Sequence, residues 1–469
     1  MADADQINLQ EIAPAEVAEI DLYQRREKIY TRKIEGFFQR VRLFTGWPLL
    51  LGYLVLPWLS WDGRQAVLFD LPARKFHILG LTFWPQDFPM LAFLLIIAAY
   101  SLFAVTTFAG RVWCGYTCPQ TVWTSIFMWL EQKTEGSRNQ RMKLDKGPWT
   151  REKILKKSAK HISWLYVGYV TGFTFVGYFY PIRELLPDLW TGQLAGWALF
   201  FIGFFTLATY LNAGWMREQV CQYMCPYARF QSVMFDHDTL IVSYDPGRGE
   251  PRGSRKRGAD PAQLGLGTCI DCELCKQVCP TGIDIREGLQ YQCIGCALCI
   301  DACDSVMDKM DYPRGLIRYT SERELAGEKT HWLRPRIIGY VAMLTLMVGV
   351  FSYNMVTRTP LELTAIGDRQ QLYMTTAEGD IDNVYTLQLL NMDEAPHRFT
   401  LSVQGLEGAK LIGETEHRLD AGEVRSIGLR VRVNPDALTR PSTEITFHAQ
   451  AEDEPGLSAR TESRFRSPL

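Results

Sequence analysis

Long apolar stretches alternate with polar segments along the first three quarters of the chain. Five of these stretches carry little charge, and each is close to the ~20 residues that an α-helix needs to cross the hydrocarbon core of a bilayer. So many charge-poor runs of this length are not typical of buried helices in one globular domain. The pattern predicts an α-helical membrane protein with five transmembrane helices, at about 42–60, 88–109, 161–180, 194–214 and 337–356.

The distribution of Lys and Arg predicts the orientation of these helices. Segment 111–160 carries eleven Lys or Arg and segment 215–336 is also rich in them, whereas the connections 61–87 and 181–193 together hold only four. Cytoplasmic connections carry the excess of positive charge, so we expect both basic segments inside and the chain beyond about 357 outside. Segment 1–39 has neither the apolar run nor the cleavage site of a signal peptide, which predicts a retained, cytoplasmic N-terminus.

The last 110 or so residues follow a different pattern. Apolar and polar positions alternate in four segments, and clusters of Gly, Pro, Asp and Asn separate them. A period of two residues between such turn signals predicts a small β-sandwich. This part contains no cysteine and no recognisable catalytic set, so a docking role is the expectation. The alternating segments are 384–389, 398–403, 427–433 and 444–449.

Composition narrows the function through charge and cysteine. The net charge is −2, from 50 basic and 52 acidic residues, which argues against a protein that coats nucleic acid. The basic run at 248–257 fits a solvated loop on the inside of the membrane. Seven histidines are too few for a haem-rich protein, and all twelve cysteines lie between residues 114 and 303. Clustering at ligand spacing indicates metal or redox chemistry rather than a disulfide framework.

Eight of the cysteines form two runs with the spacing C-x2-C-x2-C-x3-C. This is the spacing of bacterial ferredoxins that bind two [4Fe–4S] clusters, in which the fourth cysteine of each run ligates the other cluster. Structural zinc sites, the competing interpretation, usually offer separate C-x2-C pairs. Asp304 follows the second run, where the motif usually has Pro. The predicted ligand sets are Cys269, Cys272, Cys275 and Cys303 for one cluster, and Cys293, Cys296, Cys299 and Cys279 for the other.

The remaining four cysteines form two copies of the motif C-x-Y-x-C-P, each just after an apolar run. Residues i and i+4 share a helix face, so each pair is expected to direct two sulfurs at one point. If Pro119 and Pro226 begin helices, the cysteines before them lie at helix N-termini, where the dipole favours the thiolate. Thiolates select soft metals such as Cu(I). The pattern predicts a role in binding a soft metal such as copper, or in redox catalysis, for Cys114, Cys118, Cys221 and Cys225.

The motifs and apolar runs together predict a division into five parts. The division consists of a cytoplasmic segment at 1–39, a four-helix membrane region at 40–214, a cytoplasmic region at 215–336 with its ferredoxin module at about 262–312, a fifth transmembrane helix at 337–356, and an external β-domain at 357–469.

These features together resemble the FixG/RdxA/CcoG family, cytochrome c oxidase accessory proteins of bacterial inner membranes. The resemblance covers nearly the full length and implies an immunoglobulin-like C-terminal domain in the periplasm. Members are linked to assembly of cbb3-type haem–copper oxidase and are described as Cu(II) reductases. The individual motifs also occur in membrane ferredoxins of nitrate and nitrous-oxide respiration, but the fifth crossing and the β-domain favour the accessory family.

Three functions remain open at this point. The resemblance implies a cupric reductase that takes electrons from a cytoplasmic donor through two [4Fe–4S] clusters, and passes Cu(I) to a copper chaperone or exporter serving oxidase assembly factors. A quinol-linked electron relay in the membrane is the second hypothesis. The third is a redox-sensing assembly scaffold that docks oxidase subunits through the β-domain. The sequence leaves the oligomeric state open.

Overall fold

The computed structural model describes residues 28–369, 371–393 and 395–468 of the chain. The acidic beginning of the predicted segment 1–39, together with Arg25 and Arg26, lies outside the described residues. The described part comprises a bundle of long helices, a ferredoxin module and a C-terminal β-domain.

Within the described residues, four helical stretches are long and apolar enough to cross a membrane. The side chains on their outer faces do not pack against other parts of the described protein. On α2 (Phe88–Ala109), for example, Leu94, Leu95 and Ile96 are all exposed. Large apolar surfaces of this kind belong in lipid. The stretches are Phe37–Trp58, Pro85–Ala109, Gly196–Met216 and Pro335–Val356, built on α1 (Phe37–Val55), α2 (Phe88–Ala109), α8 (Gly196–Thr209) and α14 (Pro335–Val356).

The other predicted crossing, about 161–180, falls on a helix that is less apolar than these four. Helix α6 (Arg151–Val176) begins in the basic segment and carries polar residues through its first half. Its second half packs closely along α8, because a Cβ atom at Gly168 or Gly172 would lie 2.8 or 2.7 Å from a backbone oxygen of that helix. Small residues spaced four apart allow such close approach of helices. The fifth crossing stays a prediction.

Shorter elements connect the long helices, and some of them carry the two C-x-Y-x-C-P motifs. Two of them are π-helical turns, an uncommon geometry that is often found at functional sites. Two small sheets lie between α1 and α2. These elements are α3 (Val112–Tyr116), α4 (Pro119–Glu135), α5 (Arg138–Lys146), α7 (Ile182–Thr191), the π-turns Tyr210–Met216 and Val220–Met224, α9 (Pro226–Met234), and the strands β1 (Ser60–Trp61), β2 (Arg64–Gln65), β3 (Val67–Asp70), β4 (Lys75–Ile78) and β5 (Leu81–Phe83).

The ferredoxin module folds around a two-stranded antiparallel sheet and two helices. Strand β6 pairs with β7 so that Ile241 lies opposite Thr320. Val242, Met307 and Leu316 are almost fully buried in the core beside the ferredoxin cysteines. The elements are β6 (Ile241–Tyr244), α10 (Pro246–Gly249), α11 (Leu274–Val278), α12 (Leu298–Met310), β7 (Ile317–Thr320) and α13 (Glu322–Leu325).

The two ferredoxin helices differ in length because the residues after the two runs differ. Pro280 follows Cys279, and α11 ends at Val278. Asp304 follows Cys303, and α12 continues through it to Met310. A proline inside a helix removes a backbone hydrogen bond and clashes with the preceding turn. Asp304 therefore permits the longer helix, and its Oδ1 accepts a hydrogen bond from the backbone N–H of Gly315 at 3.0 Å.

The C-terminal part is a β-domain, as the alternation predicts, and all four alternating segments lie within strands. One sheet has the order β12-β14-β10-β8, with β9 on β10, and the other has the order β13-β11-β15-β16. Apolar side chains of both sheets, such as Leu387 and Phe447, form one core. The strands are β8 (Leu361–Gly367), β9 (Met374–Thr375), β10 (Ile381–Asn391), β11 (His397–Gln404), β12 (Lys410–Ile412), β13 (Glu416–Leu419), β14 (Val424–Val433), β15 (Ser442–Ala451) and β16 (Ser458–Arg466).

The ferredoxin module and the β-domain lie at opposite ends of α2 and α14. At the end of α2, the backbone N–H of Leu240 donates to the carbonyl of Phe108 at 3.1 Å. At its beginning, Asp87 accepts from Arg358, which follows α14, at 2.6 Å. A helix of 22 residues is about 33 Å long, enough to span the hydrocarbon core. The arrangement therefore separates the two domains by one membrane thickness.

Candidate metal centre

One group of four cysteines, the distal group, lines a cavity in the ferredoxin module. Cys269 and Cys272 come from the loop that enters α11, Cys275 lies in the first turn of α11, and Cys303 comes from α12. Cys269 and Cys275 are buried, whereas Cys272 is exposed. These are the same four cysteines that the spacing predicts to lie together.

A second group of four cysteines, the proximal group, lines a neighbouring cavity. Cys293 and Cys296 come from the loop that enters α12, Cys299 lies in the first turn of α12, and Cys279 follows α11. Cys275 lines this cavity as well as the distal one, so the two groups are adjacent. Each ferredoxin run therefore contributes three cysteines to one cavity and its fourth cysteine to the other.

The two cysteine loops have the same backbone shape. In each loop the residues immediately before and after the second cysteine adopt left-handed conformations. These are Asp271 and Glu273 in the first run, and Gly295 and Ala297 in the second, with φ between 53° and 64°. Non-glycine residues seldom adopt this conformation, and here it curls the chain around the cavity. The strain recurs in both loops, as expected of loops shaped to enclose the same type of ligand.

The chemistry of both groups fits [4Fe–4S] clusters. Each offers four sulfurs around one cavity, the ligand set of such a cluster. Burial raises the pKa of Cys275, Cys293 and Cys303 to about 12. These buried thiols are therefore protonated at neutral pH unless a metal displaces the proton. When bound, each cluster would supply a one-electron carrier.

The charges beside the two groups differ. At the distal group, burial has the largest effect on the pKa of both Cys275 and Cys303. Arg286 lowers the pKa of Cys275 more than Asp284 raises it, and Asp304 adds to the rise at Cys303. At the proximal group, Arg111 lowers the pKa of Cys293 and Arg42 lowers that of Cys296, both against the larger effect of burial. Nearby positive charge favours the more negative state of a metal site.

The four remaining cysteines, the membrane-edge group, are presented by helix ends. Helices α4 and α9 begin at Pro119 and Pro226, as predicted, and Cys118 and Cys225 are their N-cap residues. Cys114 lies on α3, which ends at Tyr116, and Cys221 lies on a π-turn. The expectation that each pair shares one helix face is wrong. A residue before proline is driven towards extended backbone, so the chain turns between the two cysteines of each pair.

Both pairs converge into one group. The charges of Cys114, Cys118 and Cys225 all act on the thiol of Cys221. The long helices do not bring them together directly, because α2 packs on α14 whereas α8 packs on α6. Instead, α9 returns to contact α2. At α4, the side-chain amide of Gln120 donates to the carbonyls of Asn212 and Arg217 at 2.8 and 3.2 Å.

Burial controls the protonation of the membrane-edge thiols. It raises the pKa of Cys114 to about 11 and that of Cys221 to about 12. At Cys118, the backbone N–H groups of Thr121 and Gln120 lower the pKa, as a helix N-terminus should, but burial outweighs them. The predicted thiolate at this helix end is therefore not stabilised by the helix N-terminus alone, because burial favours the protonated thiol. A soft cation bound by the group would supply the missing stabilisation.

The membrane-edge group directly abuts the proximal group. A Cβ atom at Gly115 would lie 2.8 Å from the Cα atom of Cys296, so the two backbones are in van der Waals contact. The Arg111 guanidinium donates to the carbonyl of Cys293 at 3.1 Å and to Gln231 Oε1 at 2.5 Å. The Gln231 amide nitrogen lies 3.6 Å from Cys114 Sγ. A continuous chain of contacts thus joins the membrane-edge group to the proximal group.

Sequence reasoning did not identify Arg111, Gly115 or Gln231. One signal was available, because the first motif reads C-G-Y-T-C-P where the second reads C-Q-Y-M-C-P. The glycine occurs only in the copy that contacts the ferredoxin module. Gln231 carries no comparable signal, since it lies within a helix, five residues beyond the end of the second motif.

A smaller polar group in the β-domain contains Asp393, His397 and Glu454, which are close enough to share a metal ion. The two ring nitrogens of His397 instead lie 2.8 Å from Asp393 and Asp453 carboxylate oxygens. Burial lowers the pKa of His397, but the two carboxylates outweigh burial and raise it. The geometry is that of a protonated histidine held between two acids.

Comparison with known proteins places the chain in a family. A family model described as "4Fe-4S dicluster domain" matches residues 216–322, and one described as "IG-like fold at C-terminal of FixG" matches 351–468. Nitrogen fixation protein FixG of Rhizobium meliloti is 37% identical, over 93% of this chain and 90% of that protein. Protein RdxA of Cereibacter sphaeroides is 39% identical, over 95% and 94%. The chain belongs to the FixG/RdxA family.

The matches cover every part of this FixG/RdxA-family protein that carries cysteine. Protein RdxB of Cereibacter sphaeroides is also similar, with 41% identity over 81% of this chain and 83% of that protein. A third family model, described as "4Fe-4S binding domain", matches residues 90–135 and so includes Cys114 and Cys118. The protein is therefore an iron–sulfur redox protein of the membrane.

Proposed function

We propose that this protein reduces Cu(II) to Cu(I) at the membrane-edge group, for the assembly of cbb3-type cytochrome c oxidase. The contact between Gly115 and Cys296 is the observation that carries the proposal. It joins a group of four thiols suited to copper to a group of four thiols suited to a one-electron carrier. Copper is the substrate, and Cys114, Cys118, Cys221 and Cys225 bind it.

The four thiols favour the product over the substrate. Thiolate is a soft ligand and selects Cu(I), so binding by this group makes acceptance of an electron more favourable. Two of the thiols are N-cap residues, where backbone N–H groups help to stabilise the thiolate. The high pKa values of Cys114 and Cys221 mean that copper binding releases protons from them.

Two buried side chains fix the position of the membrane-edge group relative to the proximal group. Arg111 binds the carbonyls of Tyr291 and Cys293, at 2.5 and 3.1 Å, in the loop of the proximal group. Gln231 connects the same guanidinium to Cys114. Both side chains are buried, so solvent does not compete for these contacts. They act as positioning residues for electron transfer to the bound copper.

The proposal includes an orientation and partners. The positive charge of 111–160 and 215–336 supports a cytoplasmic ferredoxin module and a periplasmic β-domain in a bacterial inner membrane. Cu(I) would then leave to a copper chaperone or exporter, and the β-domain would dock oxidase assembly factors. Cys272 leaves one side of the distal group exposed to solvent.

The test is anaerobic reduction of Cu(II) by the purified protein. Protein with intact clusters is reduced with dithionite, freed of excess reductant, and mixed with Cu(II) and a chromogenic chelator specific for Cu(I). We expect Cu(I) formation to be lost when Cys114, Cys118, Cys221 and Cys225 are all changed to Ala. The ferredoxin cysteines are unchanged in this variant, so its iron content provides the control. Cu(I) formation at an undiminished rate in the variant would refute the proposal.

A second candidate is an additional iron–sulfur cluster at the membrane-edge group. The match of residues 90–135 to a 4Fe-4S binding domain favours it. Iron analysis separates the candidates, because two clusters require about eight iron atoms per chain and a third raises this to about twelve. The copper proposal predicts about eight, both in the wild type and in the variant lacking the four membrane-edge cysteines. A loss of about four atoms in that variant would instead support the additional cluster.

A further inference from the structure

A cavity of about 340 Å³ lies beside the proximal group, at the end of α2. Ala109, the last residue of α2, lines it together with Leu240 and Leu289, and Cys293 lines both this cavity and that of the proximal group. The volume is at the lower end of the range for small-molecule sites. A ligand in this cavity would occupy the edge of the membrane and contact the loop that carries a cluster ligand.

The lining is mostly apolar but has aromatic and polar groups on one side. Tyr291 lines the cavity. The Cζ atom of the Arg111 guanidinium lies over the Tyr291 ring, 5.3 Å from the centre of that ring. Glu322 also lines it, and its carboxylate contacts His237 Nδ1 at 2.6 Å. Both members of this Glu–His pair are exposed, so a proton accepted by Glu322 has a path to solvent. A flat, lipid-soluble molecule with ionisable hydroxyl groups matches this lining.

We propose that this cavity binds a membrane hydroquinone that serves as the electron donor. The inference rests on the proposed function and identifies the class of its reductant. Each hydroquinone loses two electrons and two protons and becomes a quinone. The two electrons pass singly to the two [4Fe–4S] clusters that the proximal and distal groups would hold. The two protons leave through Glu322 and His237.

The charge beside the proximal group supports this class of donor. Hydroquinones are mild reductants and need an acceptor whose reduced state is stabilised. Arg111 places a buried positive charge against the carbonyl of Cys293, and Arg42 binds the carbonyl of Gly115 at 3.0 Å, next to Cys296. Positive charge and hydrogen bonds near a cluster favour its reduced state. The cavity is thus beside a group that has two arginines against its backbone.

The first measurement is binding of a quinone-site probe to the full-length protein. The probe is 2-heptyl-4-hydroxyquinoline N-oxide, whose fluorescence is quenched on binding. We expect Leu289→Trp, which fills the cavity from its exposed side, to weaken binding by about tenfold. Leu264→Trp is the matched control, because Leu264 is also an exposed leucine of the ferredoxin module and does not line the cavity. Absence of probe binding, or equal binding by both variants, would overturn the inference.

The second measurement is reduction of the clusters by menadiol, followed by electron paramagnetic resonance. Glu322→Gln should retain the probe but slow reduction by about a hundredfold, the typical effect of losing a general base. Glu324→Gln, on the same short helix, should behave as wild type. Unchanged reduction of the Glu322→Gln variant would refute the proton route and with it the site.

Dithionite separates the two proposals. Wild-type protein reduced by dithionite tests copper reduction without any hydroquinone. If that protein forms Cu(I) while menadiol fails to reduce its clusters, the donor inference fails alone. If menadiol reduces the clusters but no Cu(I) forms after either reductant, the proposed function fails while the hydroquinone site stands.

Discussion

At the scale of single residues, Gly115 sets how closely the membrane-edge group approaches the ferredoxin module. Its α-carbon faces the backbone of Gly295 and Cys296, where a Cβ atom would lie within 3.0 Å of three backbone atoms. Backbone atoms give way less readily than flexible side chains, so any larger residue pushes the two segments apart. The short distance between the two sites therefore depends on the lack of a side chain at Gly115.

We predict that Gly115→Val slows Cu(II) reduction by the dithionite-reduced protein on the order of 10–100-fold, because misplacement by about 1 Å is costly for reacting groups. Iron content should not change, since no cluster ligand is altered. Gly203→Val is the control, as a Cβ atom there meets nothing within 4 Å. Equal rates for both variants would mean that electrons do not cross at Gly115.

A buried carboxylate holds the two cysteine motifs together from the other side. Glu131, on the helix that follows Cys118, accepts from Arg141 at 3.1 Å and from Arg217 at 2.8 Å. Arg217 lies four residues before Cys221. Burial alone would raise the pKa of Glu131, but Arg217, Lys28 and Arg141 together lower it to about 2. The carboxylate is thus charged throughout the physiological range.

Glu131→Gln should lower the free energy of unfolding by about 3–5 kcal/mol, because it leaves buried guanidinium groups without a compensating charge. The measurement is the thermal unfolding temperature in detergent. Glu152→Gln removes the carboxylate of an exposed pair with Lys156 and should leave that temperature unchanged. A Glu131→Gln protein as stable as the control would show that the two arginines find other partners.

At the scale of elements, the parts that sequence predicted well are those specified by short-range patterns. The grouping of the eight ferredoxin cysteines around two cavities follows from spacing within two runs, and the starts of α4 and α9 follow from Pro119 and Pro226. Gly115, Arg111 and Glu131 each contact a residue that is far away in the sequence. The separation is 86 residues from Glu131 to Arg217 and 182 residues from Arg111 to Cys293. No local pattern encodes such pairings. The sequence predicts the basic segment and the apolar run at 161–180 separately, but not that the two form one continuous helix, α6.

The β-domain contains an element that responds to pH. His397, at the start of β11, bridges Asp393 on the preceding loop and Asp453 after β15. Its pKa is raised in the folded protein, whereas an unfolded histidine titrates near ~6.5. The stabilisation is therefore fully present below about pH 6.5 and is lost as pH rises through the folded pKa.

We expect hydrogen-exchange protection of peptides from 397–404 and 442–451 to fall as the pH rises above about 6.5 and through the raised pKa of His397. Protection factors, corrected for intrinsic exchange, give the measurement. His397→Gln should abolish this pH dependence, whereas His448→Gln, at another histidine of the same sheet, should retain it. A pH dependence that persists in His397→Gln would assign it to a different group.

At the scale of the whole molecule, α2 and α14 keep two chemically different domains apart. Arg358 binds Asp87 beside the β-domain, and Gly422 of that domain packs against Trp84. At the other end, Arg334 donates to the carbonyl of Thr107 at 2.8 Å, beside the ferredoxin module. Each end of the helix pair is therefore fixed to a different domain.

Protease accessibility tests the proposed orientation. Trypsin added to intact spheroplasts should remove the β-domain and leave a fragment that contains the ferredoxin module, because only the β-domain faces outward in the proposal. In inverted vesicles the module should be cut and the β-domain protected. Cleavage of the module in spheroplasts would reverse the orientation.

The distribution of cysteine has a consequence for how the protein matures. All twelve thiols lie between Cys114 and Cys303, at one end of the helix pair, and the β-domain has none. In the proposed orientation, every thiol stays in a reducing compartment. The β-domain can then fold in the oxidising periplasm without a disulfide isomerase, and without mispairing that would consume cluster ligands. Cofactor insertion and folding of the exported domain thus become independent steps on either side of the membrane.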